Sequence, residues 1–150
     1  MSAKHWTSLL TDLGACKGDG FKWAQTQPTA QAAWTACERG DWMMWYVEHA
    51  IGSKPTKTKH RRLVLMACDF ADMSLHIWEK FAPEDDRPNK AIEAGRTCEK
   101  KPSKENGDAA GAAGDAAGVA WAAWAAWAAW AKKQADIIRS YFPKPPKVRK

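Results

Sequence analysis

Apolar residues recur along the chain at spacings of three and four, which is the periodicity of an α-helix. One helix is predicted to begin after Thr29, a suitable N-cap, with Trp34 on its inward face. We expect Gly40 to end this helix in the left-handed backbone conformation that glycine adopts easily.

A second helix is predicted over residues 42–51, with Asp41 as its N-cap and Gly52 at its end. Large side chains are dense in this segment. Four of them lie at helical spacing and should share one face: Trp42, Trp45, Tyr46 and His49. The helix is therefore expected to present an aromatic face.

The longest apolar pattern predicts a central helix over residues 59–81, which Pro83 stops. Apolar residues lie nearly all round this helix, as is typical of a helix surrounded by other helices. Residues 85–88 begin a further helix that runs to about residue 101, because an acidic residue and a first-turn proline suit a helix start. Its inner side is predicted to hold Ala91, Ile92 and Gly95.

Residues 108–140 include a low-complexity run of alanine, glycine and tryptophan that predicts one long helix, about 50 Å at 1.5 Å per residue. Three glycines on one face would let a neighbouring backbone approach closely: Gly111, Gly114 and Gly118. Four tryptophans repeat every three residues: Trp121, Trp124, Trp127 and Trp130. Because each is rotated about 60° from the last, they sweep about 180° of the helix surface, and at least one is expected to be half exposed.

These elements predict an all-α protein, a single-domain helical bundle of about five to six helices with one long Ala/Trp-rich C-terminal helix. The bundle is predicted to span residues 1–142, and residues 143–150 to form a basic tail. At 150 residues the chain does not accommodate two full domains. Before residue 28 the sequence predicts only a turn, at Gly18-Asp19-Gly20.

Composition narrows the class of protein. Alanine occurs 28 times and tryptophan 10 times, so the core should consist of a few bulky aromatics among closely packed alanines. This aromatic content excludes a disordered chain, and the scarcity of β-branched residues disfavours an all-β fold. The formal net charge is +6, but the predicted tail carries four basic residues and no acid, which leaves +2 for the remainder. A near-neutral body argues against sequence-specific nucleic-acid binding.

The cysteines and the alanine-rich run bear on the compartment. No apolar leader is present at the start of the chain, and the four cysteines form no CxxC pair: Cys16, Cys37, Cys68 and Cys98. We predict free, buried thiols in a reducing, cytoplasmic compartment. Residues 109–131 have the length of a membrane span, but Asp115 would cost about 2.5–3.5 kcal/mol at the bilayer centre. A buried soluble helix is therefore favoured over membrane insertion.

The chain carries no recognisable catalytic or metal-binding motif: no P-loop, GxGxxG, GxSxG or HExxH. Its four histidines have no cysteine or carboxylate at ligand spacing, so we predict no metal and no cofactor. Since no set of acids, bases or nucleophiles is evident, the sequence favours a protein that is not an enzyme.

Basic residues do lie beside aromatic ones. Arg39 precedes Trp42 and Trp45, and a second polar cluster surrounds Arg87 and Lys90. An arginine next to a tryptophan suits a flat anionic ligand, because the guanidinium can bind phosphate while the indole stacks on a base. The alternative is that Arg39 and Arg87 pair with neighbouring carboxylates at helix ends.

Several strings in the chain occur in an order that resembles the Imm5-like immunity proteins, small α-helical proteins of phages and bacteria. The most specific are RGDW at 39–42 and DRPNKAIE at 86–93; the others are TAQAAW at 29–34, RLVLMAC at 62–68 and QADIIRSYFP at 134–143. The resemblance covers roughly residues 14–143. It departs from the family in the tryptophan-only triplet repeat and in the basic tail. It implies a protein of the bacterial host cytoplasm that neutralises something by binding it.

Two functions remain most compatible with the sequence. The first is a phage or mobile-element protein that sequesters an anionic linear or cyclic nucleotide, such as a defence signal. The alternative is an immunity protein that blocks a protein toxin through its aromatic surface. A small enzyme or a membrane-associated protein is less compatible with the sequence. A homo-oligomer is compatible with any of these functions. The basic charge and the tryptophan content favour the first. The candidate ligand-binding residues are Arg39, Trp42, Trp45, Arg62, Arg87, Lys90 and Arg139.

Overall fold

The computed structural model describes residues 4–100 and 128–149, and within these ranges all regular structure is helical. The described helices are α1 (Ser8–Asp12), α2 (Asp19–Gln25), α3 (Ala30–Ala36), α4 (Gly40–Ile51), α5 (Lys57–Phe81), α6 (Arg87–Lys100) and α7 (Ala128–Tyr141). The predicted all-α class is confirmed. Most of the predicted long C-terminal helix, including Trp121, Trp124 and Trp127, lies outside the described residues.

The chain forms two compact units. The first contains Met1–Lys54 and Ala131–Lys150, so that α1 to α4 share a unit with most of α7. Its buried side chains come mainly from α3, α4 and α7: Ala33, Trp34, Met43, Val47, Ala50, Ile51, Ala135 and Ile138. The second unit, Pro55–Trp130, contains α5 and α6.

Local signals place α3 as the sequence predicts. The Thr29 hydroxyl accepts a hydrogen bond from the Ala32 backbone N–H at 3.0 Å, which confirms Thr29 as the N-cap. Trp34 is buried, and its indole N–H donates to the carbonyl of Phe142 at 2.8 Å. This bond ties α3 to the residue that follows α7.

Gly40 has a different role from the predicted one. It does not adopt a positive φ; it is the first residue of α4, with Arg39 rather than Asp41 at the N-cap. A Cβ atom on Gly40 would lie 2.5 Å from the Cβ of Gln134 and 3.0 Å from the backbone nitrogen of Ala135. The prediction was wrong because this glycine is required by the close crossing of α4 and α7, not by a turn. Gly52 does end α4 with φ +74°, as predicted.

The residues after α7 pack along α4. The Tyr46 hydroxyl donates to the Pro146 carbonyl at 3.0 Å, and Pro146 is buried. The Arg149 backbone N–H donates to the Ala50 carbonyl at 3.0 Å, and its guanidinium donates to the Lys54 carbonyl. The segment predicted as a basic tail is therefore held against the first unit over most of its length.

In the second unit α5 and α6 pack against each other. Ile92 and Gly95 of α6 are buried, in agreement with their predicted inward positions. Arg96 reaches α5 and donates to Asp69 at 3.0 Å and to Asp72 at 3.1 Å. Among the helices of residues 4–100 and 128–149, none is long and apolar enough to cross a membrane; the predicted alternative span at 109–131 falls mostly outside these ranges.

Candidate functional site

The first unit contains a partly open cavity of about 470 Å³. Aromatic side chains form most of its wall: Trp6, Phe21, Trp23, Trp34, Trp42, Trp45 and Tyr46. All of them except Trp34 are half-buried, so part of each ring surface remains accessible. The volume lies within the range of roughly 300–1,000 Å³ that is typical of small-molecule sites.

Helix α4 supplies one side of the cavity. Trp42, Trp45 and Tyr46 line it together, as expected from their helical spacing, whereas His49 is exposed and stacks on Trp45 with ring centroids 4.1 Å apart. Helix α2 supplies the opposing contact to Trp42, because a Cβ atom on Gly20 would lie only 3.0 Å from the indole ring. The absence of a side chain at this position thus allows Trp42 to lie against the backbone of α2.

Arg39 is the cationic residue on the wall, and it is already engaged. Its guanidinium carbon lies 4.5 Å from the centroid of the Trp42 ring. Its Nε and Nη2 donate to the two carboxylate oxygens of Asp41 at 2.8 and 2.6 Å, and this hydrogen bonding raises the pKa of Arg39. A guanidinium has five N–H donors, so the pair with Asp41 leaves donors available, including both on Nη1.

Asp19 is a second carboxylate on the cavity wall. Unlike Asp41, it makes no hydrogen bond or ion pair with any residue in the described part of the chain. Its charge contributes to the raised pKa of Arg39, after the larger effect of the Asp41 hydrogen bond, and both residues line the cavity. The cavity therefore has one neutralised cation and one unpaired anion.

The indole N–H groups of the cavity fall into two sets. Those of Trp6 and Trp34 donate to backbone carbonyls, both at 2.8 Å. Those of Trp23, Trp42 and Trp45 have no acceptor among residues 4–100 and 128–149. These three donors are thus not used within the described structure.

Two cysteines also line the cavity. Cys37 is buried, donates from Sγ to the Arg39 carbonyl at 3.4 Å, and has its thiol pKa raised by burial. Cys16 is exposed, so the prediction of buried thiols is wrong at this position. Within the described ranges, no three potential metal ligands come together. The arrangement offers ring faces, N–H donors and one carboxylate for binding.

Three predicted site residues lie in the second unit and not at the cavity. Arg87 donates to both oxygens of Asp85 at 2.8 and 2.6 Å, and this hydrogen bonding lowers the pKa of Asp85 to about 2. Lys90 pairs with Asp86 at 2.7 Å, and Arg62 lies exposed on α5. Arg87 therefore pairs with a neighbouring carboxylate at a helix end, which is the alternative that the sequence left open for it.

Arg139 lies in the first unit but not on the cavity wall. Its Nη1 donates to the carbonyls of Trp34 at 3.1 Å and Cys37 at 2.7 Å, where α3 ends. Its Nη2 donates to Asp136 at 2.7 Å. An arginine that satisfies the last carbonyls of a helix holds α7 to α3. Of the seven candidates, the structure brings together Arg39, Trp42 and Trp45.

Sequence reasoning missed the contribution of the first 25 residues. The predicted turn at Gly18-Asp19-Gly20 is instead the start of α2, which places Asp19, Phe21 and Trp23 on the wall. The available signal was the presence of large aromatics on either side of this segment, including Trp6. Short helices with little apolar periodicity give a weak pattern, and for that reason the segment was not recognised.

No protein-family model, no curated protein and no solved structure matches the chain. The resemblance to the Imm5-like immunity proteins therefore stays a prediction. The cavity, with its charges and hydrogen-bonding groups, is the basis on which a function can be argued.

Proposed function

We propose that the protein is a non-catalytic binding protein that sequesters an anionic nucleotide in the aromatic cavity. The observation that carries this proposal is the position of Arg39 on a wall of half-buried indole rings. A wall of this kind can hold a flat base by stacking and orient it through directed N–H donors.

The aromatic rings account for affinity to a base. Trp23, Trp42 and Trp45 each expose part of the ring and carry an unused indole N–H within the described structure. Stacking of a base on an aromatic side chain contributes about 1–3 kcal/mol. Stacking on two such rings thus supplies about 2–6 kcal/mol, and the roughly 8 kcal/mol of micromolar binding requires polar contacts in addition.

The phosphate is best accommodated towards solvent. Lys17, Lys22 and Lys144 are exposed, and each is adjacent in sequence to residues that line the cavity. Exposed lysines attract an anion through interactions that salt screens over about 8–10 Å. Asp41 neutralises Arg39 and Asp19 is unpaired, so the wall itself disfavours several phosphates at depth. A nucleotide with few charges suits this distribution better than a polyphosphate.

Tight binding without turnover would lower the free concentration of the nucleotide. In a phage or mobile-element protein, this is a means of removing a nucleotide signal used in defence. The alternative, an immunity protein that blocks a protein toxin, would use the accessible aromatic side chains as a contact surface. Nucleotide sequestration additionally uses the volume of the cavity, which matches a small molecule.

The proposal is tested by isothermal titration calorimetry of the full chain against linear and 3′,5′-cyclic mononucleotides. We expect the affinity to fall as the salt concentration is raised from about 50 to 300 mM, because salt screens the attraction between the phosphate and the exposed lysines. Trp45→Ala should weaken binding about 5- to 150-fold, which corresponds to one lost stacking contact. Arg39→Met, which keeps the apolar stem, should weaken it by a similar factor.

Arg87→Met is the matched control, since Arg87 is an exposed arginine paired with a carboxylate two residues away, as Arg39 is with Asp41, but lies outside the cavity. It should leave affinity unchanged. The absence of heat and of tryptophan quenching with every nucleotide would contradict the proposal and favour the immunity alternative. Equal losses of nucleotide affinity in Arg39→Met and Arg87→Met would indicate that the nucleotide does not bind in the cavity.

A further inference from the structure

The hydrogen-bonding groups of the cavity wall are more selective than stacking alone. Stacking accepts any base, because every base has a flat face. Selection among bases requires donors and acceptors that the protein does not already use. On this wall the unused groups are the Asp19 carboxylate, the remaining donors of Arg39 and three indole N–H groups.

Asp19 restricts the ligand edge that can face it. An ionised carboxylate accepts hydrogen bonds and donates none. Its two oxygens are matched by an edge that carries two adjacent N–H donors. Guanine presents such an edge, with N1–H next to the 2-amino group. Adenine and cytosine present one amino group beside an acceptor nitrogen, and uracil presents one N–H between two carbonyls.

Arg39 extends this pattern. It lines the same cavity as Asp19, and its remaining donors belong to a guanidinium whose charge Asp41 already balances. Donors of a neutralised guanidinium suit a neutral acceptor better than a phosphate dianion, because the net attraction for charge is reduced. In guanine the O6 and N7 acceptors follow directly after the N1–H donor, and arginine commonly binds this pair of acceptors.

We propose that the cavity selects guanine nucleotides, with Asp19 accepting from N1–H and the 2-amino group and Arg39 donating to O6 and N7. This inference rests on the proposed function, since it names the base bound at the same site. It differs from the sequence-based expectation in assigning Arg39 to the base and leaving the phosphate to the exposed lysines.

The experiment compares GMP, AMP, IMP and XMP by isothermal titration calorimetry of the full chain. We expect GMP to bind at least about tenfold more tightly than AMP, in line with the discrimination of a bidentate pair. IMP, which lacks the 2-amino group, should fall between them. Asp19→Asn exchanges one acceptor for a donor, so it should lose most of the GMP affinity and gain affinity for XMP, whose C2 carries an oxygen.

Asp12→Asn is the matched control, because Asp12 is an exposed aspartate at the end of α1 and does not line the cavity. It should retain the preference for GMP. Equal affinities for GMP and AMP, unchanged in Asp19→Asn, would overturn this inference and leave nucleotide sequestration standing. If none of the four nucleotides binds, and none of the 3′,5′-cyclic mononucleotides binds either, both proposals fail. Far-UV circular dichroism establishes that Asp19→Asn remains folded, and the gain of XMP binding is a readout that unfolding cannot produce.

Discussion

Substitution of Gly40 by alanine isolates the contact between α4 and α7. On helix propensity alone, Gly→Ala stabilises a helix interior by about 1 kcal/mol, which is an upper bound for Gly40 at the first residue of α4. The added Cβ, however, would lie 2.5 Å from the Cβ of Gln134, 3.0 Å from the Ala135 nitrogen and 3.1 Å from the Ala131 carbonyl oxygen. None of these atoms can move by rotating a side chain, so the two helices must separate. Overpacking of this kind costs about 1–3 kcal/mol.

The expected net result is a loss of up to about 2 kcal/mol in the free energy of unfolding, measured by urea denaturation. Gly18→Ala provides the control, because its Cβ would meet only the Cys16 Sγ at 3.7 Å, an ordinary contact. Its effect should stay within a few tenths to about 1 kcal/mol, as for exchanges at an N-cap. A Gly40→Ala protein that is more stable than the original by the full helix-propensity gain of about 1 kcal/mol would refute the close crossing of α4 and α7.

Three further substitutions test individual contacts. Trp34→Phe leaves the Phe142 carbonyl without its indole donor and should lower the free energy of unfolding by about 1–3 kcal/mol in urea denaturation. Burial raises the pKa of the Tyr46 hydroxyl, so the unfolded chain loses the hydroxyl proton at a lower pH than the folded protein does. The free energy of unfolding should therefore fall as pH rises past about 10. Unfolding curves at about pH 9 to 11 should lack this contribution to the fall in the Tyr46→Phe variant. Arg87→Ala should raise the Asp85 pKa from about 2 towards the ordinary value near 4 in an NMR titration, while the backbone N–H of residue 87 still donates to Asp85; an unchanged value would exclude the ion pair.

The sequence predicts those helices whose boundaries have a local cause. Thr29 caps α3 through its own side chain, and Gly52 ends α4 through its backbone conformation. The aromatic face of α4 follows from the spacing of Trp42, Trp45 and Tyr46. Each of these features depends on residues within one helix turn of each other, and such relations are visible in the sequence.

Features that depend on distant residues were not predicted. Gly40 was interpreted as a turn residue because its actual requirement, the proximity of Gln134, is a tertiary contact. Arg139 resembles a ligand-binding residue in the sequence, yet its donors bind the carbonyls at the end of α3. The sequence marks Asp19 only as part of a turn, because its position on the cavity wall depends on the packing of α2 with α4. A charged residue acquires a role from its neighbours, and these come from long-range packing.

The composition of the cavity wall determines when in its biosynthesis the protein can complete the cavity. Trp6 and Pro145 both line the cavity, and the indole of Trp34 bonds to a carbonyl 108 positions later in the chain. Closing loops of this length is slow compared with forming local contacts. Translation must therefore pass Pro145 before the nascent chain can complete the wall, and any ligand capture during synthesis is confined to the moments after that residue has left the ribosome.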